Sequence, residues 1–338
     1  MSFRETEKKR YRELKHKKRK SPLFNPRAKS DGFYRGKPRS FCLADDYSSE
    51  NLYEDIRDSA IEYFRARNIT WHDGLDKGRR PSNHLCCSQS CCVNFLYPMV
   101  SHPALVKSIF EKFYPVKTPL PINKEAPLPD GSYPYTAFEW IGVCDYLGET
   151  KRKGANRTRG ANFTSADFIF RFRRADNQIQ IVLGEWKYTE YYAQSDKGIK
   201  VRKDNYSSAF NRTRGIFTDK GEDVYNALFF EPYYQLMRLQ LLAQEMQLAK
   251  EMDADLVTVL HICPEVNHAF RKKVTSPKLR EMYPGKNTLE VWEELVPSDK
   301  FKSITVESLL DNIVEVAGPK DRGWADYLKT RYGWDRVY

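Results

Sequence analysis

The sequence predicts an α/β fold, and three observations predict it. Residues 164–190 hold two extended apolar runs, Phe-Ile-Phe-Arg-Phe at 168–172 and a β-branched run at 179–183, separated by Ala175, Asp176 and Asn177. Runs of that length and composition read as strands, and the break between them as a hairpin. Residues 233–252 place Leu236, Leu239, Leu242/Ala243 and Met246 on one helical stripe. Residues 255–260, Asp-Leu-Val-Thr-Val-Leu, then read as a buried strand. Strand, helix, strand in that order implies a right-handed crossover and parallel pairing.

The remaining elements follow in chain order. The first 40 residues carry 15 Lys and Arg against 4 Asp and Glu, which is the whole net charge of +11; the rest of the chain is balanced. Residues 1–40 are therefore expected to be a basic flexible arm, densest at 15–20, that neutralises phosphates or simply stays solvated. Ser48-Ser49-Glu50 caps an expected helix at 51–67 that buries Leu52, Ile56, Ile61 and Phe64. His72 follows it, either touching substrate or structural. Residues 85–97 form a further segment in which His84, Cys86, Cys87, Cys91 and Cys92 superficially suggest zinc. Their spacing does not fit paired Cys-x-x-Cys elements, so the cysteines are read as small buried hydrophobes. Ser88, Gln89 and Asn94 either face a ligand or bridge. Residues 103–114 are a short amphipathic helix and 115–134 a Pro-rich loop. Residues 135–146, YTAFEWIGVCDY, read as a strand carrying Glu139 and Asp145. Residues 151–160, KRKGANRTRG, are a basic loop before the hairpin, where a phosphodiester backbone would run. Residues 191–230 show no clean period and are read as a long functional excursion. Residues 270–338 read as polar loops with helical padding.

The hairpin can be given a register. A three-residue loop at 175–177 sets Arg174 opposite Gln178 and Asp167 opposite Glu185, with Lys187 on the same face. A two-residue loop would turn Glu185 away. Two carboxylates meeting at a strand end form an oxygen site suited to a hard divalent cation, and a lysine beside them can hold a water or balance charge. The competing reading is a strand-end salt bridge. Glu-x-Lys alone decides nothing, since it recurs at Glu7/Lys9, Glu13/Lys15 and Glu149/Lys151. Only Glu185/Lys187 ends a long apolar strand with a second acid placed to meet it.

Composition limits the classes. A chain of 338 residues with 41% hydrophobic and 14% aromatic residues can bury a large core. No apolar run approaches a membrane span of about 20 residues. The charged N-terminus has no apolar leader, so a cytoplasmic protein is expected, with its seven cysteines reduced. There is no Walker-type or dinucleotide glycine loop and no Gly-x-Ser-x-Gly elbow.

The order of hairpin acid, Glu-x-Lys, helix with Gln235 and strand resembles the PD-(D/E)XK nuclease superfamily. Ala166-Asp167 matches its Pro-Asp element and Glu185-Trp186-Lys187 its Glu-x-Lys element. The phrases PSNHL…SQ…VNFL (81–96), FEWIGVCDYLGE (138–149), TSAD (164–167), EWKYTE (185–190) and EPYYQLMRLQLLA (231–243) look like a bacterial family of restriction-endonuclease-like proteins. The resemblance spans about residues 41–310 and departs in two places. Ala166 stands for the proline, and Leu239 stands where the exonuclease branch has tyrosine four residues after its glutamine.

That resemblance implies an αβββαβ core at 131–270, its central mixed sheet flanked by helices. It also implies a helical N-terminal region at 41–130 and a C-terminal helical extension at 271–338. It implies a Mg²⁺-dependent endonuclease acting on DNA, with Mn²⁺ as the alternative ion. Asp167, Glu185 and Lys187 would be catalytic, with Asp167, Glu185 and, as a further acid, Glu139 on the metal. Gln235, Arg238, Lys151, Arg152, Lys153, Arg157 and Arg159 would contact substrate. No membrane partner is expected, and a homodimer is left open. The alternative is an inactive nucleic-acid-binding or structural module on the same fold.

Overall fold

A central sheet of six strands carries helices on both faces. The computed structural model describes residues 1–17, 23–150, 157–160, 163–212, 216–217 and 222–334. The elements that position the site are α1 (Phe3–His16), α2 (Arg57–Ala66), α3 (Ser88–Leu96), α4 (Pro103–Phe110), β1 (Val116–Leu120), β2 (Thr136–Trp140), β3 (Ala166–Arg174) and β4 (Ile179–Trp186). They continue with α5 (Tyr233–Leu248), β5 (Leu256–Cys263), α6 (Thr288–Leu295), β6 (Phe301–Thr305), α7 (Val306–Val316) and α8 (Arg322–Tyr332).

β1 and β2 pair with successive halves of β3; the sheet then runs β3, β4, β5, β6. The β3–β4 pair is antiparallel with Phe168 opposite Gly184 and Arg173 opposite Ile179. The amide of Arg174 donates to the Gln178 carbonyl at 2.8 Å, which closes the three-residue loop expected at 175–177. β4–β5 and β5–β6 are parallel. The crossover through α5 thus gives the parallel pairing expected, and the sheet is mixed.

Alternation along the strands builds two cores. Phe168, Phe170, Phe172 and Val182 face α2–α4, α7 and α8, while Ile169, Ile181, Leu183, Val257 and Val259 face α5 and α6. Leu236, Leu239, Leu242 and Met246, all at most 2% exposed, form the buried stripe of α5 as its spacing predicts. Truncating one of these leucines to alanine costs about 2–5 kcal/mol. Gly184 lets the hairpin close, because a Cβ there would stand 1.9 Å from the Phe168 ring.

Several expectations are corrected. Residues 3–16 are no flexible arm: α1 packs on the molecule with Tyr11 fully buried and Lys15 turned inward to the Cys42 carbonyl at 2.7 Å. The apolar contact of one helix face outweighs the solvation of its charges. The helix expected at 51–67 begins at Arg57; Asp45–Asn51 and Glu54–Ile56 form short 3-10 turns before it, and the Asn51 side chain donates to the Ser82 and His84 carbonyls. The Pro-rich loop contains β1, and the expected helical padding of 270–338 contains β6, which completes the sheet. The four cysteines at 86–92 are buried, as read.

Candidate active site

Register gathers the acids. Phe138 pairs with Phe168 and Trp140 with Ala166, which sets Glu139 opposite Asp167; Phe168 against Gly184 sets Asp167 opposite Glu185. Glu185 in turn pairs with His261 on β5. Glu139, Asp167, Glu185 and His261 thus form one row across four strands, at the carboxyl ends of the parallel pair. In open α/β sheets that end is where ligands bind. Because α5 runs back along the sheet, its N-terminal residues Glu231 and Gln235 arrive at the same end.

Each side chain in the row is held. Asp167, half-buried, accepts the Trp186 amide at 2.6 Å. Lys187 lies with its ammonium 2.5 Å from Glu185 Oε1, and its own amide continues the sheet by donating to Ile262. Glu139 is 7% exposed and accepts from Gln89 Nε2 at 2.7 Å and from the Ser165 hydroxyl at 2.8 Å. Its φ of +51° is left-handed, a strained state for a glutamate within a strand and one often met at functional sites. Glu231 Oε2 is buried with no hydrogen-bond partner among the described residues. Among the described residues Glu185 Oε1 has only the ammonium contact, without ordinary hydrogen-bond geometry.

Electrostatics follow from the crowding. Protein packed around Asp167, then the charges of Glu185 and Glu139, push its carboxyl well above the aspartate range, against Lys187 and the Trp186 amide. Burial likewise raises Glu139 and Glu231, with Glu185 adding to both. Burial opposes the charge on Lys187, but Glu185, Tyr192 and Asp167 outweigh it and hold the ammonium charged. Burial, then Lys187, lowers His261 to about 3, so that ring is neutral.

Among the described residues no three His, Cys, Asp or Glu side chains are grouped closely enough to hold a metal ion by themselves. The donor set still suits Mg²⁺, which takes one or two protein carboxylates and otherwise water and phosphate oxygens. Glu185 Oε1, buried and shared only with the Lys187 ammonium among the described residues, stands next to Asp167 in the strand register, an oxygen pair of that kind.

The substrate-contact residues divide. Gln235 is partly exposed at the site and accepts from the Tyr192 hydroxyl at 3.4 Å. Arg238, a turn further along α5, stands 5.0 Å from the Tyr234 ring. Arg157 donates to the Ile141 and Gly142 carbonyls, and Arg159 to those of Phe138 and Glu139 and to Glu125 at 2.6 Å. These two guanidinium groups clasp the end of β2 rather than reaching outward. Lys151, Arg152 and Lys153 lie outside the described residues. His72 is exposed. Asn94 bridges Tyr53, Asn51 and Tyr332.

Glu231 completes the site without having been singled out for it, while Gln89, left open in sequence between facing a ligand and bridging, bridges to Glu139. Gln89 also accepts from the His72 amide at 2.7 Å, so its side chain is locked in the direction that holds Glu139. A glutamine between two serines on a cysteine-rich helix is a weak signal. Glu231, immediately before the Pro that opens α5, is a clearer one.

The profile of one protein family, REase-ARP, described as Restriction Endonuclease associating with ARP, matches residues 4–333. No curated protein and no solved structure matches the chain.

Proposed function

The chain belongs to the family described as Restriction Endonuclease associating with ARP, and from that premise we propose that it is a Mg²⁺-dependent endonuclease of the PD-(D/E)XK kind, hydrolysing DNA phosphodiesters. The observation that carries the reading is the row of Glu139, Asp167 and Glu185 beside Lys187 at one end of the sheet.

Asp167 and Glu185 would hold Mg²⁺ (or Mn²⁺), with Glu139 as the further acid. Bound there, the ion would supply polarisation of the scissile phosphate and a lowered pKa for a bound water. Asp167 keeps its orientation through the Trp186 amide, and Glu139 through Gln89 and Ser165. Lys187, held charged, leaves Glu185 to position the attacking water or to balance charge on the phosphorane-like transition state. Gln235 would touch the strand from the mouth of α5.

Lys187→Ala should lower cleavage by about 10²–10³-fold, the usual cost of removing one preorganised charge-stabilising group, while duplex binding persists. Full Mg²⁺-dependent cutting by that variant refutes the assignment. The closed Glu185–Lys187 contact favours a second reading, an inactive binding module. DNA binding without any nicking in Mg²⁺ would establish that instead.

A further inference from the structure

Two features remain unused by the row of acids: the His84 phrase and the outer face of α1. They meet at a cavity of about 150 Å³ whose walls include Arg4, Tyr34, Arg35, Asp73, His84 and Glu190. Glu190 follows Lys187 by three residues, so the cavity adjoins the reacting end.

His84 is 5% exposed and wedged between the rings of Tyr34 and Phe41, at 4.6 and 4.9 Å. Its Nδ1 accepts the Cys86 amide at 3.0 Å, which puts the ring proton on Nε2. That Nε2–H is buried without a partner among the described residues, and so is Arg4 Nε. Buried donors left unpaired are rare and call for an acceptor. Each of the two wall carboxylates takes a donor from elsewhere with one of its oxygens. Asp73 takes the Tyr34 hydroxyl at 2.8 Å, and Glu190 takes the Tyr188 amide at 2.6 Å. Neither carboxylate bonds His84 Nε2 or Arg4 Nε, so these two donors are left without an acceptor in the cavity. It has about five times the ≈ 30 Å³ that one water occupies in the liquid, room for a tetrahedral oxyanion.

The face continues beyond the cavity. Arg4, Lys8 and Arg12 recur every four residues, which stacks them along one side of α1. A second groove, about 380 Å³, is lined by Lys8, Lys9, Arg12 and Arg39 together with Glu5, which pairs with Lys8 at 2.7 Å.

We propose that the cavity is a phosphate site, in which the His84 Nε2–H and the Arg4 and Arg35 guanidinium groups donate to one phosphate group, and that the phosphate belongs to a nucleic-acid strand whose next phosphates run along α1. The source of the phosphate rests on the nuclease reading; the site itself does not.

Inorganic phosphate titrated into the full chain in chelator, followed by histidine ring-nitrogen resonances, tests the site. A saturable shift of the His84 Nε2 signal is expected, with a midpoint at least about tenfold higher in Arg4→Gln, as loss of a charge-assisted pair predicts. Arg4 is half-buried and its Nε unpaired, so this variant keeps its fold. No saturable shift, or one indifferent to Arg4→Gln, means a water-filled cavity only and overturns the site.

Duplex affinity measured in chelator across a range of salt tests the source. Arg4→Gln should reduce the slope of log K against log salt by about one. An unchanged slope beside an Arg4-dependent phosphate shift overturns the strand assignment in favour of a free phosphate ester. Neither arm involves cleavage, so a Lys187→Ala enzyme that still cut DNA would sink the nuclease reading and leave the phosphate result standing.

Discussion

Glu7 and Glu185 are buried to nearly the same degree, 1% and 2% exposed, close to the same four residues of chain, and the fold treats them oppositely. Glu7 receives Arg10 through two contacts of 2.6 and 2.7 Å, the Trp334 indole at 3.0 Å and the Tyr188 hydroxyl. Glu185 has the Lys187 ammonium, an oxygen without a hydrogen bond, and Asp167 opposite it in the strand register. The first cluster fastens α1 and the chain after α8 to residue 188. The second, three residues back along the chain, crowds Glu185 and Asp167 around one ammonium, that of Lys187. A buried carboxylate is costly unless it is paired; Glu7 meets four donor atoms, whereas Glu185 and Asp167 crowd a single ammonium, a strain that the proposed cation would relieve.

The comparison breaks most easily at its satisfied side. Glu7→Gln should lose about 3–5 kcal/mol of stability, the usual cost of removing one partner from a buried pair, read as a lower denaturant midpoint. Its cleavage per folded molecule should stay that of the wild type. An equally stable variant would show that Glu7 is not the fastening the contacts suggest.

Asp167→Asn should do the reverse. Cleavage falls by about 10²–10³-fold, while the midpoint holds or rises, by up to about 1 kcal/mol, because repulsion from Glu185 and Glu139 is removed. A marked loss of stability would place Asp167 among the structural groups.

The pH dependence sharpens the contrast. Asp167 has an ordinary value of 3.8 and is held well above it in the folded protein. Below that value both states carry the proton. As pH rises past it, the unfolded chain releases the proton while folded Asp167 retains it, so stability declines until the folded group ionises too. Glu139 and Glu231 act in the same direction. In chelator, the denaturant midpoint should drift down across this window, and less steeply in Asp167→Asn. Parallel curves would contradict the crowding.

The far end of the same hairpin marks the lower limit. In the Arg174–Asp176 pair at 3.1 Å the aspartate is exposed, and Asp176→Asn should shift stability by no more than about 0.5 kcal/mol.

Much of this was legible because it was local. The hairpin register follows from counting three loop residues, and Asp167 meets Glu185 for that reason. The parallel crossover follows from the order of three elements. Contacts between distant segments were not legible in the same way. Gln89 reaches Glu139 across fifty residues of chain, and nothing around it in sequence points there. The clasp of Arg157 and Arg159 on β2 depends on a loop path that basic composition does not specify. The docking of α1 had a signal: Phe3, Glu7, Tyr11 and Leu14 share a helical face among the charges, and the charge count outweighed it.

The most direct test of the central claim is supercoiled plasmid incubated with the purified full chain in Mg²⁺, then in chelator, then with Mg²⁺ restored. Nicking that appears, stops and returns is the predicted result. Nicking indifferent to chelator, or none under any divalent cation while the protein still binds the plasmid, would contradict a carboxylate–lysine hydrolytic centre at the mouth of this hairpin.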